Sequence, residues 1–188
     1  AEPGVAPTLA VAARLVRLRG EVRVYGAPGD SPVPARTGQA LLDGQHVETV
    51  GEEAFAAIVC LDATRVELGA NARAAFDAGG KRIVLDSGVL RADVAKQPRG
   101  ASVVLATPHA EVRVLGTRFV LSANPKATTV EVEEGTVRLS RRQDGASTVV
   151  LPGQYASVRG RDPVVARAVR AWRSWDVVMN PGEGMQAV

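Results

Sequence analysis

Residues 106–139 read ATPHAEVRVLGTRFVLSANPKATTVEVEEGTVRL, and the spacing of their apolar residues decides the fold. Val112 and Val114, Phe119 and Leu121, Val130 and Val132, and Val137 and Leu139 form short runs with an apolar residue at every second position. Strand side chains point alternately to opposite faces, so each run reads as a strand with one face in a core and one in water. Gly116, Asn124-Pro125 and Gly135 separate the runs. Apolar parity switches across Leu115-Gly116-Thr117, where an added residue turns the side chains to the other face, so glycine there marks a bend or bulge. The Thr117 hydroxyl is placed to satisfy a backbone group freed by that bend.

Outward from this stretch the chain repeats itself. Ile83–Val94 (IVLDSGVLRADV) and Val130–Arg141 (VEVEEGTVRLSR) share an apolar pair, a glycine and a second pair, which aligns Gly88 with Gly135. A strand pair with a glycine-containing tight turn or bulge explains both. Leu18-Arg19-Gly20-Glu21-Val22 is a looser third copy. Leu42-Asp43-Gly44-Gln45 echoes Leu151-Pro152-Gly153-Gln154. Imperfect repeats of short strands predict stacked rungs, either a β-solenoid or a two-sheet sandwich. The fold class expected is therefore all-β, with many short strands in two packed sheets.

The flanks fit this reading. Residues 16–24 alternate apolar and charged, as a half-buried strand bent at Gly20 does. Residues 25–37 hold three prolines and form a loop, and Asp43-Gly44 is a tight-turn signal. Ala54–Leu61 is a strand buried on both sides, paired through a hairpin at Asp62-Ala63 with residues 64–68. At the end, Asp162-Pro163 reads as an N-cap with proline in the first turn. It predicts a short C-terminal helix over 163–179, with Val165, Val169 and Trp172 on one face. The domain plan is a loose end at 1–12, a β domain at 13–160 and an extension at 161–188.

Composition narrows the function classes. Apolar residues make up 46% of the 188 residues but aromatics only 4%, so the core is built from Val, Leu, Ile and Ala. The 23 basic residues against 20 acidic ones leave a formal charge of only +3, too weak for nucleic-acid binding, and no aromatic ladder accompanies them. Cys60 stands alone, which excludes a disulfide within the chain and a multi-cysteine metal site. No apolar run approaches the roughly 18 residues of a membrane span. The Ala-Glu-Pro start fits a mature end left by signal cleavage, or the boundary of a longer chain.

No catalytic constellation emerges. His46 and His109 lack the i, i+4 partner or the cysteine that metal binding needs. Ser87-Gly88 and Ser102 have no elbow and no fixed histidine. Glu131 and Glu133 alternate with valines, which places them on a solvent face rather than around a pocket. No enzyme activity, metal or cofactor is expected. Trp172 and Trp175, three residues apart, are either a packing face or a platform for stacking a sugar ring.

Taken in order, these motifs resemble the FecR family. The resemblance rests on Gly20-Glu21-Val22, on Asp43-Gly44-Gln45 with Val47 and Thr49, and on Ala57, Val59, Leu61 and Asp62. It continues through Val66, Leu68, Val84, Leu85 and Gly88. The most specific part joins Ala106-Thr107-Pro108 to Val112, Val114-Leu115-Gly116-Thr117 and Phe119, followed by Thr129, Val130, Val132, Gly135, Val137, Leu151, Gly153 and Gln154. Such a resemblance implies an all-β sensing domain in the bacterial periplasm, with no catalytic residue to carry over. Gly44, Gly88, Thr107, Gly116, Thr117, Phe119, Gly135 and Gly153 are then structural positions of the family motif. It also implies a protein partner, the signalling extension of a TonB-dependent transporter, and a signal passed inward to a sigma factor. The alternative expectation is a structural or carbohydrate-binding module of a secreted or cell-envelope protein.

Overall fold

A computed structural model describes residues 10–26, 30–98 and 100–169. Its strands are β1 (Val11–Tyr25), β2 (Val33–Pro34), β3 (Ala40–Leu42), β4 (His46–Cys60), β5 (Arg65–Leu68), β6 (Arg73–Asp77), β7 (Arg82–Asp93) and β8 (Val103–Ala106). They continue with β9 (Ala110–Val114), β10 (Arg118–Asn124), β11 (Ala127–Glu134), β12 (Val137–Arg141), β13 (Ser147–Val150), β14 (Gln154–Val158) and β15 (Arg167–Ala168). One 3-10 turn, Ala78–Gly80, joins β6 to β7.

All fifteen strands belong to one hydrogen-bonded network, which divides in two because β1, β4 and β7 are long enough to serve both halves. The first sheet runs β3-β1-β4-β5-β7-β10-β11-β14-β15, using residues 11–19 of β1, 55–60 of β4 and 88–93 of β7. The second runs β2-β1-β4-β6-β7-β8-β9-β12-β13, using residues 21–25, 46–50 and 82–87 of the same strands. Every pairing is antiparallel except β7 with β8. Inward side chains of both sheets, from Leu15 and Val47 to Leu121 and Leu139, merge into one apolar cluster. The sandwich expected from the repeats is therefore present, with the same long strands contributing to both layers.

The repeat glycines lie where the chain passes between sheets. Gly88 bends β7 inside a continuous strand, with φ +94°. A Cβ there would stand 2.5 Å from both Cα and Cβ of Ala72. Gly135, at φ +81°, separates β11 in the first sheet from β12 in the second, and a Cβ there would meet Gly116 O at 2.6 Å. Both positions exclude a side chain twice over, by backbone conformation and by space. Of the turn and the bulge allowed by the sequence, the bend inside a strand is what Gly20 and Gly88 form.

Registers show that these passages change sides. Through β7 the long strands cross along the edge marked by Gly20 and Gly88, as does the β5–β6 link at 69–72. After β7 the chain crosses along the opposite edge, between β7 and β8, β9 and β10, β11 and β12, and β13 and β14. The β3–β4 turn at 43–45 also crosses on that opposite edge, from Leu42 beside Val11 to His46 beside Tyr25, so before β7 backbone spans both edges and after β7 only one among the described residues.

Two expectations need correction. The helix predicted over 163–179 does not start at Pro163: residues 163–169 contain no helix, Arg167–Ala168 form a short strand in which Arg167 pairs with Tyr155, and Val169 N donates to Gly153 O at 3.0 Å. The free edge of β14 gives Arg167–Val169 interstrand ladder bonds that outweigh a single N-cap signal. Residues 170–179 lie outside the described residues. Ala54–Leu61 is a strand only to Cys60; Leu61 is 68% exposed. Its outward Phe55 is covered by the guanidinium groups of Arg17 and Arg19, each 5.8 Å from the ring centroid.

Candidate protein-binding surface

Polar side chains join the two sheets along the edges that backbone crosses once or not at all. In the first half, Asp62 sits in the β4–β5 hairpin of one sheet and Lys81 in the β6–β7 turn of the other. Lys81 Nζ donates to Asp62 Oδ2 at 2.7 Å, Gln97 Nε2 donates to the same oxygen at 2.9 Å, and Lys81 also contacts Gln97 Oε1. Thr64 N donates to Asp62 Oδ1 at 3.0 Å. Burial pushes the Asp62 carboxyl up, but the hydrogen bonds from Lys81, Thr64 and Gln97 together outweigh it and hold the group down at about 2. Burial pushes the neighbouring Cys60 thiol up to about 12, with Asp62 adding to the effect. Cys60 is therefore an inert core residue.

In the second half the open edge is on the other flank, and Thr107 closes it. Its hydroxyl, in the β8–β9 hairpin, accepts from Ala110 N at 2.9 Å and shares a 2.7 Å hydrogen bond with Thr128 Oγ1 of the facing sheet. Thr107 and Thr128 are 1% and 0% exposed, so neither hydroxyl has water as an alternative. Arg141 makes a parallel link: Nε donates to Asp144 Oδ1, and Nη1 donates to Gly160 O at 2.7 Å and Asp162 O at 3.0 Å. The sequence reading did not separate Arg141 from outward arginines such as Arg113 and Arg138. The signal that could have done so is parity, since Val137, Leu139 and Arg141 share the inward face.

The remaining motif residues occupy turns, bends and the core. Gly44 and Gly153 occupy the same turn, with φ +81° and +75°. In each, the following glutamine side chain accepts from the residue three earlier, Leu42 N or Leu151 N, at 3.0 Å. The sequence hid a third copy, Arg36-Thr37-Gly38-Gln39, in which Gln39 Oε1 accepts from Arg36 N at 3.0 Å. In all three, the glycine N–H reaches a core strand, at Leu15 O, Phe76 O or Val132 O. Thr117 Oγ1 donates to Thr136 O at 3.1 Å across the bend beside Gly116. Phe119 is fully buried, in register with Ala92 and Val132.

No arrangement for catalysis forms among the described residues. His46 stacks on Tyr25 with ring centroids 5.1 Å apart, Arg73 covers the other ring contact of Tyr25 at 5.0 Å, and Asp86 lies 3.4 Å from Arg73 Nε. Burial raises the Tyr25 pKa. His109 is far along the chain at the β8–β9 hairpin, with Nε2 3.2 Å from Asn124 O. The acidic cluster is spent in cross-strand pairs: Glu133 with Arg91 at 2.7 Å and Glu134 with Arg118 at 3.6 Å. No group of three or more His, Cys, Asp or Glu among the described residues could hold a metal ion. No helix there is long and apolar enough to cross a membrane. Trp172 and Trp175 lie outside the described residues.

What is left is surface. The outer face of the second sheet carries a groove of about 550 Å³ at its β9–β12–β13 end, with Leu115, Thr136 and Val149 beside Arg113 and Arg138. Leu115 is 60% exposed and Val149 43%. Among the described residues, β13 is the last strand of this sheet and pairs on one side only. A sheet end bordered by exposed apolar side chains is a place where another chain can add.

Comparison with known proteins agrees with this architecture. Two crystal structures of a candidate anti-sigma factor from Parabacteroides distasonis share the fold, with TM-scores of 0.55 and 0.54 and identities of 18% and 19%. Each alignment covers 64% of this chain and 58% of the other, so the chain spans little more than half the length of those proteins. No curated protein matches it in sequence. The FecR protein family matches residues 46–138, the segment from the start of β4 to β12 that contains Gly88, Thr107, Gly116, Thr117, Phe119 and Gly135. Over that segment, the chain matches the FecR protein family.

Proposed function

We propose that this is a non-enzymatic, extracytoplasmic signalling domain that binds a protein partner along its exposed sheet edge. In this reading it transmits the partner's state towards control of a sigma factor. The observation that carries the reading is the FecR match across residues 46–138, together with polar and charged residues that join the two sheets. The likeness in fold to a candidate anti-sigma factor supports the regulatory part. Periplasmic placement and the signalling extension of a TonB-dependent transporter as partner follow from the family resemblance.

The test is transcriptional. In the source bacterium, the gene product is replaced by a version lacking residues 46–138, and transcription dependent on the neighbouring sigma factor is followed with and without the transporter's ligand. Loss of the ligand response, with the protein still exported, is the expected result. An unchanged response overturns the signalling role.

A further inference from the structure

We propose that the open edge of β13, with Arg113 and Arg138 beside it, takes an extended acidic segment of the protein partner as an added strand. The inference rests on the partner-binding reading above and names the surface and the chemistry of what it receives.

The edge geometry comes first. Arg141 N donates to Ala146 O at 2.8 Å, which fixes the alternation of the β12–β13 ladder. Leu139 with Thr148 and Val137 with Val150 are then the hydrogen-bonded pairs. Ser147 and Val149 lie at the intervening positions, so their N–H and C=O groups point away from β12, to the open side. Edge strands are commonly guarded by charge or proline. Pro34 stands in β2 and Arg167 in β15, but β13 (Ser147-Thr148-Val149-Val150) has neither.

The charge pattern names the occupant. On the first sheet, opposite charges face each other across strands: Asp93, Arg118 and Glu134 stand in one row, with Arg118 3.5 Å from Asp93 and 3.6 Å from Glu134. On the second sheet the matching row is Val104, Arg113, Arg138 and Val149, which sets two arginines directly opposite each other. Like charges in that position repel. Arg113 has Glu111 at 2.7 Å, whereas Arg138 makes no ion pair among the described residues. A strand added to β13 would lie about 4.8 Å beyond it and roughly 10 Å from β12, a gap that an arginine and a glutamate side chain bridge together. Acidic residues at its outward positions would meet Arg138 beside the exposed Val149, and its apolar residues would lie on the inward face beside Val150.

The test uses two synthetic peptides of about ten residues, one alternating valine with glutamate and one alternating valine with lysine. Each is titrated into the full chain labelled with 15N. The acidic peptide is expected to shift amides of β12, β13 and the Leu115–Thr117 bend, and the lysine peptide to bind at least about tenfold more weakly. The double variant Arg113→Glu, Arg138→Glu should reverse this preference. Val149→Pro removes an N–H that faces outward, so it should weaken the acidic peptide at least about tenfold while leaving the thermal midpoint nearly unchanged. Equal binding of both peptides, shifts elsewhere, or indifference to both variants overturns the proposal. Binding by a phosphate-bearing glycolipid vesicle in place of the acidic peptide, at the same arginines, also overturns it. A positive transcriptional test with a negative peptide test leaves the signalling role standing and removes this surface. The reverse outcome removes the role and keeps the surface.

Discussion

Gly88 lies against the backbone of Ala72 so closely that a Cβ on it would stand 2.5 Å from the Ala72 Cα, at the point where β7 leaves one sheet for the other. Gly88→Ala therefore combines a left-handed backbone with a steric conflict that only backbone movement relieves. The expected loss is about 3 kcal/mol or more. Gly44 supplies the contrast, because its φ is +81° but nothing lies within 4 Å of an added Cβ. Gly44→Ala should cost only about 1–2 kcal/mol. Urea denaturation of the two variants checks the difference, and equal losses would mean that Gly88 is not a tight corner.

Asp62 predicts a specific acid sensitivity. Its folded pKa, about 2, lies below the ordinary carboxylate value. The group therefore contributes stability above its unfolded pKa, and that contribution is lost as pH falls through the folded value. The window is pH ~4 down to ~2, and the size is about 2 kcal/mol. Asp62→Asn should lower stability at pH 7 and flatten its pH dependence in that window. Denaturation midpoints at several pH values read this directly, and parallel curves for the two proteins would refute it.

Thr107 predicts a polar effect without a change in volume. Thr107→Val keeps the shape but leaves Ala110 N and the Thr128 hydroxyl without their partner inside the core. The expected cost is about 1–3 kcal/mol. Thr107→Ser keeps the hydroxyl and should recover much of the loss. Amide exchange at Ala110 should accelerate in the valine variant only.

Phe119 tests the packing. Its ring is fully buried between the two sheets, so Phe119→Ala should cost about 3–5 kcal/mol. A loss under about 1 kcal/mol in chemical denaturation would place the ring outside the core.

Strand positions were legible because alternation is a local consequence of the pleat. Val112, Val114, Phe119 and Leu121 face the core as their spacing requires. The glycine bends could be found from parity switches for the same reason. What sequence did not show is which strands belong to both sheets, because β7 and the β11–β12 pair carry almost the same pattern around Gly88 and Gly135. One remains a single strand and the other breaks in two. The difference lies in their neighbours, Ala72 in one case and Gly116 with Thr117 in the other, which are far away in sequence. The strand at Arg167–Ala168 was hidden likewise, since a free edge at Tyr155 is a tertiary fact. The arginine pair across β9 and β12 could be read as two outward residues, but not as opposing ones.

The change of crossing side after β7 has a mechanical consequence. Before it, a load that pries the sheets apart at the Gly88 edge must stretch continuous backbone in several places, whereas the opposite edge is held by the single backbone turn at 43–45 and by the Lys81–Asp62 contact. Beyond it the assignment reverses, and the weak seam is the one held by Thr107 and Arg141. The two seams lie on opposite flanks and at opposite ends, so no single tear runs the length of the molecule. Tension applied to β13 by a bound strand therefore reaches β1 through unbroken covalent chain on one flank or the other, and the domain can carry a pull without coming open like a book.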